Sequence, residues 1–380
     1  MTDIRMPELR AFAGLDDDSA SMCVTEHSVA QLPAGDVPTS TTLADHTTLR
    51  VGGPCDRLVV AHTEAELIDA VGEADASGSP ALVLGGGSNV LVSDAGYPGT
   101  VVIVATSGIT ADVSYCGGAN VTVAAGENWD AFVAHAIEQE WRGIEALSGI
   151  PGLVGAVPIQ NVGAYGQEVS QTVASVRTWD RVERTQRTFF AADCGFGYRH
   201  SRFKDYPGRY LVLSVGFQFL LGDLSMPIRF GELARRLGIG GGERAKSAVV
   251  RENVLALRRS KGMVLDAADN DTWSAGSFFT NPVLDAEAAA RLPEDAPRFA
   301  QPDGSVKSSA AWLIEHAGFG KGFGTPPATL STKHTLALTN RGGACAADLL
   351  ALAKEVRDGV ATKFGVNLIP EPVLVGCSLN

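Results

Sequence analysis

Apolar residues divide the chain into strands and helices from about residue 42 onward. Short apolar runs bounded by glycine or proline predict strands, whereas apolar positions recurring every three or four residues predict amphipathic helices. Strands are predicted at 58–61, 81–84, 90–92, 101–105, 121–124, 173–179, 210–219 and 373–375. Helices are predicted after Thr63, after Asn128 and at 246–260, 309–316 and 346–364. This mixture predicts an α+β fold.

Capping signals mark the ends of several helices. Thr63 and Glu66 have the spacing of a capping box, and Asn128 can cap the next helix. Gly365 is suited to the position after the last helix, where glycine adopts a left-handed backbone. One face of the helix after Asn128 carries the apolar residues Trp129, Phe132, Val133, Ala136 and Ile137.

The first 40 residues show no sustained periodicity. They mix an acidic run at 16–18 with small polar residues. We expect either a flexible extension or a segment ahead of the true start.

Composition narrows the possible functions. The 380 residues are 45% hydrophobic and carry a net charge of −12, which argues against nucleic-acid binding. The seven histidines form no metal-binding motif, and we expect no bound metal. No apolar run approaches the roughly 18 residues that a membrane span needs. The six scattered cysteines are interpreted as free thiols, and with no secretory signal visible we expect a cytoplasmic protein.

Two glycine-rich segments are candidates for ligand binding. The first, 84–89 (LGGGSN), lies between two predicted strands, and it is either a tight turn or a cradle for a phosphate. The second, 148–166, has five glycines and two prolines, too many for a regular helix, yet it is too apolar for a solvated linker. It is either a buried backbone folded against a flat ligand or a glycine-rich crossover.

Three further segments carry reactive side chains. Residues 196–204 (FGYRHSRFK) form a basic, aromatic stretch, 275–282 (AGSFFTNP) contains a serine, and 369–373 (IPEPV) holds a glutamate between two prolines. Taken alone, each is more typical of ordinary surface or turn structure than of catalysis. Ser277 in particular has neither a nucleophile elbow nor a neighbouring histidine.

Taken together in this order, the motifs resemble the UDP-N-acetylenolpyruvoylglucosamine reductase family. The resemblance covers about residues 42–375 and includes T-x-R-V-G-G-P at 48–54. It implies a two-subdomain FAD-binding unit of the vanillyl-alcohol-oxidase type followed by an α+β substrate-binding domain. The implied boundaries are 41–105, 106–222 and 223–380, with 366–380 returning to the first subdomain.

The resemblance also implies residue roles. Arg199 would contact the substrate carboxylate, Ser277 would donate a proton and Glu371 would assist. FAD would be bound by Gly85, Gly86, Gly87, Ser88, Asn89, Gly149, Gly152, Gly155, Ala156, Ile159, Gln160, Asn161, Gly163 and Ala164. Substrate would be bound by Tyr198, Phe230, Lys261, Asn281 and His334. Two positions depart from the family pattern: Phe230 replaces a tyrosine of one subgroup, and Thr280 replaces a frequent lysine.

The implied reaction has two halves. NADPH reduces the flavin, and the enolpyruvyl group of UDP-N-acetylglucosamine enolpyruvate is then reduced to UDP-N-acetylmuramate for peptidoglycan synthesis. We expect a monomer. An FAD oxidase of the same broad fold is disfavoured because no histidine for covalent flavin attachment is evident near the glycine loop. A non-enzymatic paralogue is disfavoured because Arg199, Ser277 and Glu371 are all present.

Overall fold

The computed structural model describes residues 24–33 and 35–379. Runs of strands are interspersed with helices along this range, and the predicted α+β fold is confirmed. The helices are α1 (Glu64–Ser77), α2 (Trp129–Glu138), α3 (Arg202–Asp205), α4 (Gly231–Leu237), α5 (Ser247–Ser260), α6 (Ala286–Ala290), α7 (Ala310–His316) and α8 (Ala346–Phe364).

The strands of the described residues fall into one large sheet and several small ones. They are β1 (Glu26–Ala30), β2 (Cys55–Ala61), β3 (Ala81–Leu84), β4 (Val90–Val92), β5 (Tyr97–Val104), β6 (Ile109–Ser114), β7 (Gly118–Ala124), β8 (Trp141–Arg142), β9 (Gly163–Ala164), β10 (Gln167–Glu168), β11 (Val173–Asp180), β12 (Thr185–Phe190), β13 (Tyr210–Leu221), β14 (Val283–Leu284), β15 (Phe299–Ala300), β16 (Val306–Lys307), β17 (Gly324–Thr325), β18 (Ala328–Leu330), β19 (Leu338–Asn340) and β20 (Val373–Val375).

The large sheet is antiparallel and has the strand order β1-β6-β7-β13-β11-β12, with β8 also paired to β13. A smaller parallel sheet has the order β2-β5-β3. Strand β20, near the carboxyl end, pairs in parallel with β4, which directly follows the glycine loop. The end of the chain therefore lies beside the first glycine-rich segment.

The main core forms where helix α2 packs on the large sheet. Trp129 and Phe132 of α2 are fully buried, and their rings contact Phe217 of β13 at centroid distances of 6.2 and 5.2 Å. Val133 and Ala136 are also fully buried, which confirms the predicted apolar face. Burial of an aromatic or aliphatic side chain of this size contributes about 1.5–3 kcal/mol, so this face fixes α2 against the sheet.

The predicted caps are confirmed. Thr63 and Glu66 form the capping box of α1, the Asn128 side chain accepts from the main-chain N–H of Ala131, and Gly365 has a φ of 68°. Helices α5 and α7 each begin one residue later than predicted, because Lys246 and Ser309 are their N-cap residues.

The amino-terminal segment differs from the prediction where the structure describes it. Residues 1–23 of the predicted flexible extension lie outside the described residues. Within the rest, β1 pairs antiparallel with β6 from Glu26↔Val113 to Ala30↔Ile109. The side chains of β1 are mostly exposed, so main-chain hydrogen bonds hold this strand to the edge of the sheet. Main-chain hydrogen bonds leave no hydrophobic pattern in the sequence.

The cysteines also differ in part from the prediction. Cys55, Cys194, Cys345 and Cys377 are free thiols. Cys116 is disulfide-bonded, so the interpretation of all cysteines as free is wrong for this residue, and Cys23 lies outside the described residues.

Among the described residues, no helix is long and apolar enough to cross a membrane. In the same part of the chain no three histidine, cysteine, aspartate or glutamate residues are grouped as metal ligands.

Candidate active site

The first glycine-rich segment connects β3 to β4 through residues 85–89. The main-chain N–H groups of Gly86, Gly87 and Ser88 donate to no described residue. At Gly87, φ is +59° and an added Cβ would lie 1.8 Å from the carbonyl oxygen of His46, so only glycine fits. Unpartnered N–H groups in a turn of this kind form a site for an anion such as a phosphate.

The second glycine-rich segment packs directly against the first. An added Cβ on Gly86 would lie 3.0 Å from Gly152 Cα, and one on Gly152 would lie 3.0 Å from Ser88 Oγ. The Ser88 hydroxyl also donates to the carbonyl of Pro151 at 3.1 Å. Because these positions are glycine, the two backbones approach each other closely. Few side-chain atoms then stand between these backbones and a ligand.

The two segments line a cavity of about 370 Å³, here called the glycine cavity. It adjoins a second cavity of about 720 Å³, and Gly85, Gly86, Leu265 and Thr272 line both. The glycine cavity brings together the predicted residues Gly85, Gly86, Gly87, Ser88, Asn89, Gly152, Ala156, Ile159, Gln160, Gly163, Arg199, Ser277 and Glu371.

Four predicted cofactor-binding residues lie behind this wall. The N–H groups of Gly149 and Gly155 donate to Asp130 Oδ1 and to the carbonyl of Ala125. Asn161 is 1% exposed, and its side chain is occupied by hydrogen bonds within the protein. Ala164 belongs to β9. These residues support the wall and do not line it.

Arg199 lies at the tip of a tight turn. Gly197 and His200 exchange main-chain hydrogen bonds of 3.0 and 3.2 Å, which leaves Tyr198 and Arg199 at the tip. Arg199 has a φ of +52°, a left-handed conformation that costs a non-glycine residue about 1–2 kcal/mol. Such strain often occurs at functional sites, where surrounding contacts hold it in place.

Main-chain pairing places Glu371 beside the serine segment. Its N–H donates to the carbonyl of Phe278 at 2.8 Å, and the N–H of Thr280 donates to the carbonyl of Ile369 at 3.0 Å. Ser277 directly precedes this pairing and lines the glycine cavity. Its hydroxyl has no hydrogen-bond partner among the described residues, so it is available to a ligand.

Arg199 and Glu371 form a largely buried ion pair. Arg199 Nε donates to Glu371 Oε1 at 2.8 Å, and the two side chains are 21% and 12% exposed. Burial raises the pKa of the Glu371 carboxyl, and the neighbouring Arg199 charge opposes that rise. The pair therefore joins a fixed cation to a carboxyl that is easier to protonate than usual.

Sequence reasoning missed a chain of amides that leads to this pair. Asn89 Nδ2 donates to Gln160 Oε1 at 2.9 Å and to the carbonyl of Glu371 at 3.3 Å. Gln160 Nε2 in turn donates to Glu371 Oε1 at 3.4 Å. No local pattern in the sequence predicts these hydrogen bonds, because the three residues come from distant segments.

The predicted substrate residues form two clusters outside the glycine cavity. In one, Tyr198 Oη accepts from the main-chain N–H of Asn281 at 3.4 Å, and Lys307 Nζ lies 4.4 Å from the Tyr198 ring centre. Lys307 was not predicted. Burial raises the pKa of Tyr198, so its hydroxyl stays protonated at neutral pH.

The second cluster joins Phe230, Lys261 and His334. The Phe230 ring meets the Tyr165 ring edge-on at 5.4 Å, and Lys261 Nζ donates to Glu232 Oε2 at 2.7 Å. Burial, and then the charges of Lys261 and Lys321, lower the pKa of His334 to about 4, so its ring is neutral at pH 7. Glu232 and Lys321 were not predicted.

Replacing Gly87 by alanine is expected to lower the free energy of unfolding by about 2–4 kcal/mol, because the backbone is left-handed and a carbonyl blocks the new methyl group. Gly72→Ala is the matched control. Gly72 lies within α1 with nothing within 4 Å of an added Cβ, so alanine should stabilise by about 0.5–1 kcal/mol. Urea unfolding of both variants measures the difference, and equal effects would contradict the assignment of a strained turn.

Comparison with known proteins identifies the class. Residues 55–188 match the family described as FAD binding domain, and residues 267–375 match the UDP-N-acetylenolpyruvoylglucosamine reductase C-terminal domain. The fold and the glycine cavity thus define an FAD-dependent oxidoreductase. The reductase of Cutibacterium acnes is 60% identical over 96% of this chain and 97% of its own length. The chain belongs to the UDP-N-acetylenolpyruvoylglucosamine reductase family.

Two other proteins agree with this assignment. The UDP-N-acetylenolpyruvoylglucosamine reductase of Thermobifida fusca is 54% identical over 89% of this chain and 97% of its own. The crystal structure of the enzyme from Thermus caldophilus superposes with a TM-score of 0.58 at 23% identity, covering 92% of this chain and all of that one. The superposition on the Thermus caldophilus enzyme supports the fold.

Proposed function

We propose that this chain reduces the enolpyruvyl group of UDP-N-acetylglucosamine enolpyruvate to UDP-N-acetylmuramate, with NADPH as reductant and FAD as bound cofactor. This reaction belongs to peptidoglycan precursor synthesis, on which bacterial cell shape and division depend. The observation that carries the proposal is the Arg199–Glu371 ion pair, which lines the same glycine cavity as Ser277.

The residues of the cavity fit FAD. The unpartnered N–H groups of Gly86, Gly87 and Ser88 suit its diphosphate, and the bare backbone around Gly152 suits a flat ring. When bound, FAD supplies the hydride chemistry that no amino-acid side chain provides. The protein contributes binding, orientation and charge.

Arg199 is proposed to bind the substrate carboxylate, on which negative charge builds during the reaction. Its planar guanidinium can pair with two carboxylate oxygens, and it remains charged at any physiological pH. The left-handed turn and the bond from Arg199 Nη2 to the carbonyl of Gly163 at 2.9 Å fix the group before substrate arrives. A cation fixed in advance stabilises developing charge without reorganisation.

Glu371 is proposed to hold Arg199 in place and to share a proton with the substrate. Its raised pKa favours the protonated form relative to an exposed glutamate. When the substrate carboxylate also binds Arg199, the Arg199 charge opposes the rise in the pKa of Glu371 less strongly. Glu371 then gains a proton more readily and can donate a hydrogen bond to the same carboxylate.

Ser277 is proposed to protonate the carbon next to the carboxylate. Its Oγ faces the cavity and has no hydrogen bond to a described residue, so no internal bond competes for its proton. A serine hydroxyl is a weak acid, and it becomes an effective donor only toward a strongly basic carbanion. Negative charge shared between the carboxylate and the adjacent carbon would make that carbon strongly basic.

The two outer clusters are proposed to bind the nucleotide part of the substrate. Lys261 and Lys321 supply positive charge for a diphosphate, and the neutral His334 can offer a hydrogen bond. Phe230 keeps an aromatic surface but has no hydroxyl. Tyr198, Asn281 and Lys307 flank the approach to Arg199.

We further propose that the protein works in the cytoplasm as a monomer and binds no nucleic acid. The net charge of −12 supports the last point, because nucleic-acid binding requires positive surface.

An anaerobic spectrum of the purified protein tests the function. We expect NADPH to bleach a flavin absorption band, and UDP-N-acetylglucosamine enolpyruvate to restore it without oxygen. Recovery only in air would indicate an oxidase of the same fold. Absence of a flavin band after reconstitution with FAD would refute the proposal.

A further inference from the structure

Thr48 connects the first glycine-rich segment to residues 274–277, here called the serine loop. Its main-chain N–H donates to the carbonyl of Gly87 at 3.1 Å. Its side-chain hydroxyl donates to the carbonyl of Ser274 at 2.6 Å. Two groups of one residue therefore join the proposed FAD site to a point three residues before Ser277, the proposed proton donor.

The bond to Gly87 orients a peptide that faces the glycine cavity. In a trans peptide the C=O and the N–H point in opposite directions. Because Thr48 holds the carbonyl of Gly87, the N–H of Ser88 in the same peptide points away from Thr48, and it donates to no described residue. Ser88 lines the glycine cavity, where its N–H belongs to the proposed diphosphate site. Thr48 therefore helps to orient the backbone that would bind phosphate.

The bond to Ser274 fixes the start of the serine loop. Ser274 is 5% exposed, and its carbonyl accepts from no other described residue. Its hydroxyl oxygen accepts from the N–H of Gly276 at 3.2 Å, and Gly276 has a left-handed φ of +70°. Ser277 follows directly. The Thr48 hydroxyl thus holds the residue that in turn holds the backbone immediately before Ser277.

Neighbouring contacts keep Thr48 in place without its hydroxyl. Leu49 and Val51 are buried in the same core as Phe278. Asn340 Nδ2 also donates to the carbonyl of Leu49 at 3.0 Å. Removing the hydroxyl should therefore leave this part of the chain folded, so that a substitution of Thr48 tests one hydrogen bond.

We propose that Thr48 is a positioning residue that holds Ser277 in place relative to the bound flavin, an inference that rests on the proposed function. It acts through Ser274 and not on the reacting atoms. Proton transfer depends on close approach of donor and acceptor, and a displacement of about 1 Å can slow a reaction about 10²-fold. Because Thr48 also contacts Gly87, the serine loop is placed relative to the cofactor site itself.

A direct contact between the Thr48 hydroxyl and FAD is the alternative role, because Thr48 also lines the larger cavity. Losing such a contact would weaken FAD binding and leave the serine loop unchanged. Losing the bond to Ser274 would loosen the serine loop. It would leave FAD binding unchanged, since the main-chain bond to Gly87 remains. The two roles thus predict different measurements.

The test compares Thr48→Val, Thr48→Ser and the control Thr110→Val in the FAD-loaded protein. Valine has the shape of threonine without the hydroxyl, serine keeps the hydroxyl, and Thr110 is exposed on β6 and lines neither cavity. For Thr48→Val we expect the oxidative half-reaction to fall at least about tenfold, while flavin reduction by NADPH and the dissociation constant of FAD change less than about twofold. Thr48→Ser should recover most of the lost rate, and Thr110→Val should match the wild type.

A double-mutant cycle shows whether Thr48 acts through the serine. In the Ser277→Ala background, Thr48→Val should slow the oxidative half-reaction no further. Hydrogen–deuterium exchange gives a measurement without turnover: the amides of 275–277 should exchange faster in Thr48→Val than in the wild type or in Thr48→Ser. Should Thr48→Val not fold, Thr48→Ala removes the same hydroxyl and carries the same tests.

Four results would overturn the proposal: an unchanged oxidative half-reaction in Thr48→Val, an equal loss of both half-reactions, additive effects of Thr48→Val and Ser277→Ala, or weaker FAD binding with unchanged amide exchange. Failure of the proposed function is distinguishable from these. Amide exchange and FAD binding are measured without substrate. If the wild-type protein did not reduce the enolpyruvyl substrate, the function would be wrong, while faster exchange in Thr48→Val would still show that Thr48 holds the serine loop.

Discussion

Replacing Ser277 by alanine is expected to leave reduction of the bound flavin by NADPH nearly intact while the oxidative half-reaction falls by about 10²- to 10⁴-fold, the usual contribution of a general acid. The serine hydroxyl faces the glycine cavity without a partner among the described residues. It is therefore not needed to position the neighbouring groups. Anaerobic stopped-flow absorbance follows the two half-reactions separately.

Ser277→Cys is the companion variant for this measurement, because a thiol of similar size can still donate a proton. It should retain more of the oxidative half-reaction than alanine does. Ser305→Ala, in the exposed turn between β15 and β16, should change neither half-reaction. If both half-reactions of Ser277→Ala slowed together, the proton-donor role would be wrong.

Replacing Arg199 by lysine is expected to lower turnover by about 10²- to 10³-fold, comparable to removing one donor of an oxyanion site. Lysine keeps the charge but not the planar pair of donors. The Arg199 side chain also makes two fixed contacts, with Glu371 Oε1 and the carbonyl of Gly163. A single ammonium cannot reproduce this geometry and also bind a carboxylate at two oxygens.

Flavin binding is the internal control for Arg199→Lys. Because the proposed diphosphate cradle around Gly86 and Gly87 is unchanged, the variant should purify with its usual flavin content. Arg202→Lys makes the same exchange at the start of α3, just after this turn, at a side chain that donates to the carbonyl of Asp193, and it should remain close to wild-type turnover. Wild-type kinetics in Arg199→Lys would refute the two-oxygen pairing with the substrate.

Much of the local structure could be predicted from the sequence. Helix α2 and strand β13 bury regular stripes of apolar side chains, and the Thr63 capping box involves residues only three apart. The strands β1 and β12 were missed for the opposite reason. They lie at sheet edges with mostly exposed side chains, so main-chain pairing holds them and no hydrophobic pattern marks them.

The residues of the candidate site likewise include some that could be predicted from the sequence and others that could not. Its glycine segments could be recognised because only glycine permits the left-handed turn at Gly87 and the close approach at Gly86. Asn161, by contrast, belongs to the same glycine-rich stretch of 148–166 as several cavity residues, but its side chain faces Glu168 and Gly197. Side-chain direction in an irregular segment has no period from which it could be predicted.

The types of local element, the apolar core faces and the backbone positions that must be glycine could be predicted from the order of residues, since each depends on neighbours a few residues apart. Which distant groups meet depends on the three-dimensional fold. Arg199 and Glu371 are 172 positions apart, and they meet only because the fold brings the turn at Gly197–His200 to the segment that precedes β20. Such contacts depend on pairings between remote segments, which leave no trace in the local order of residues.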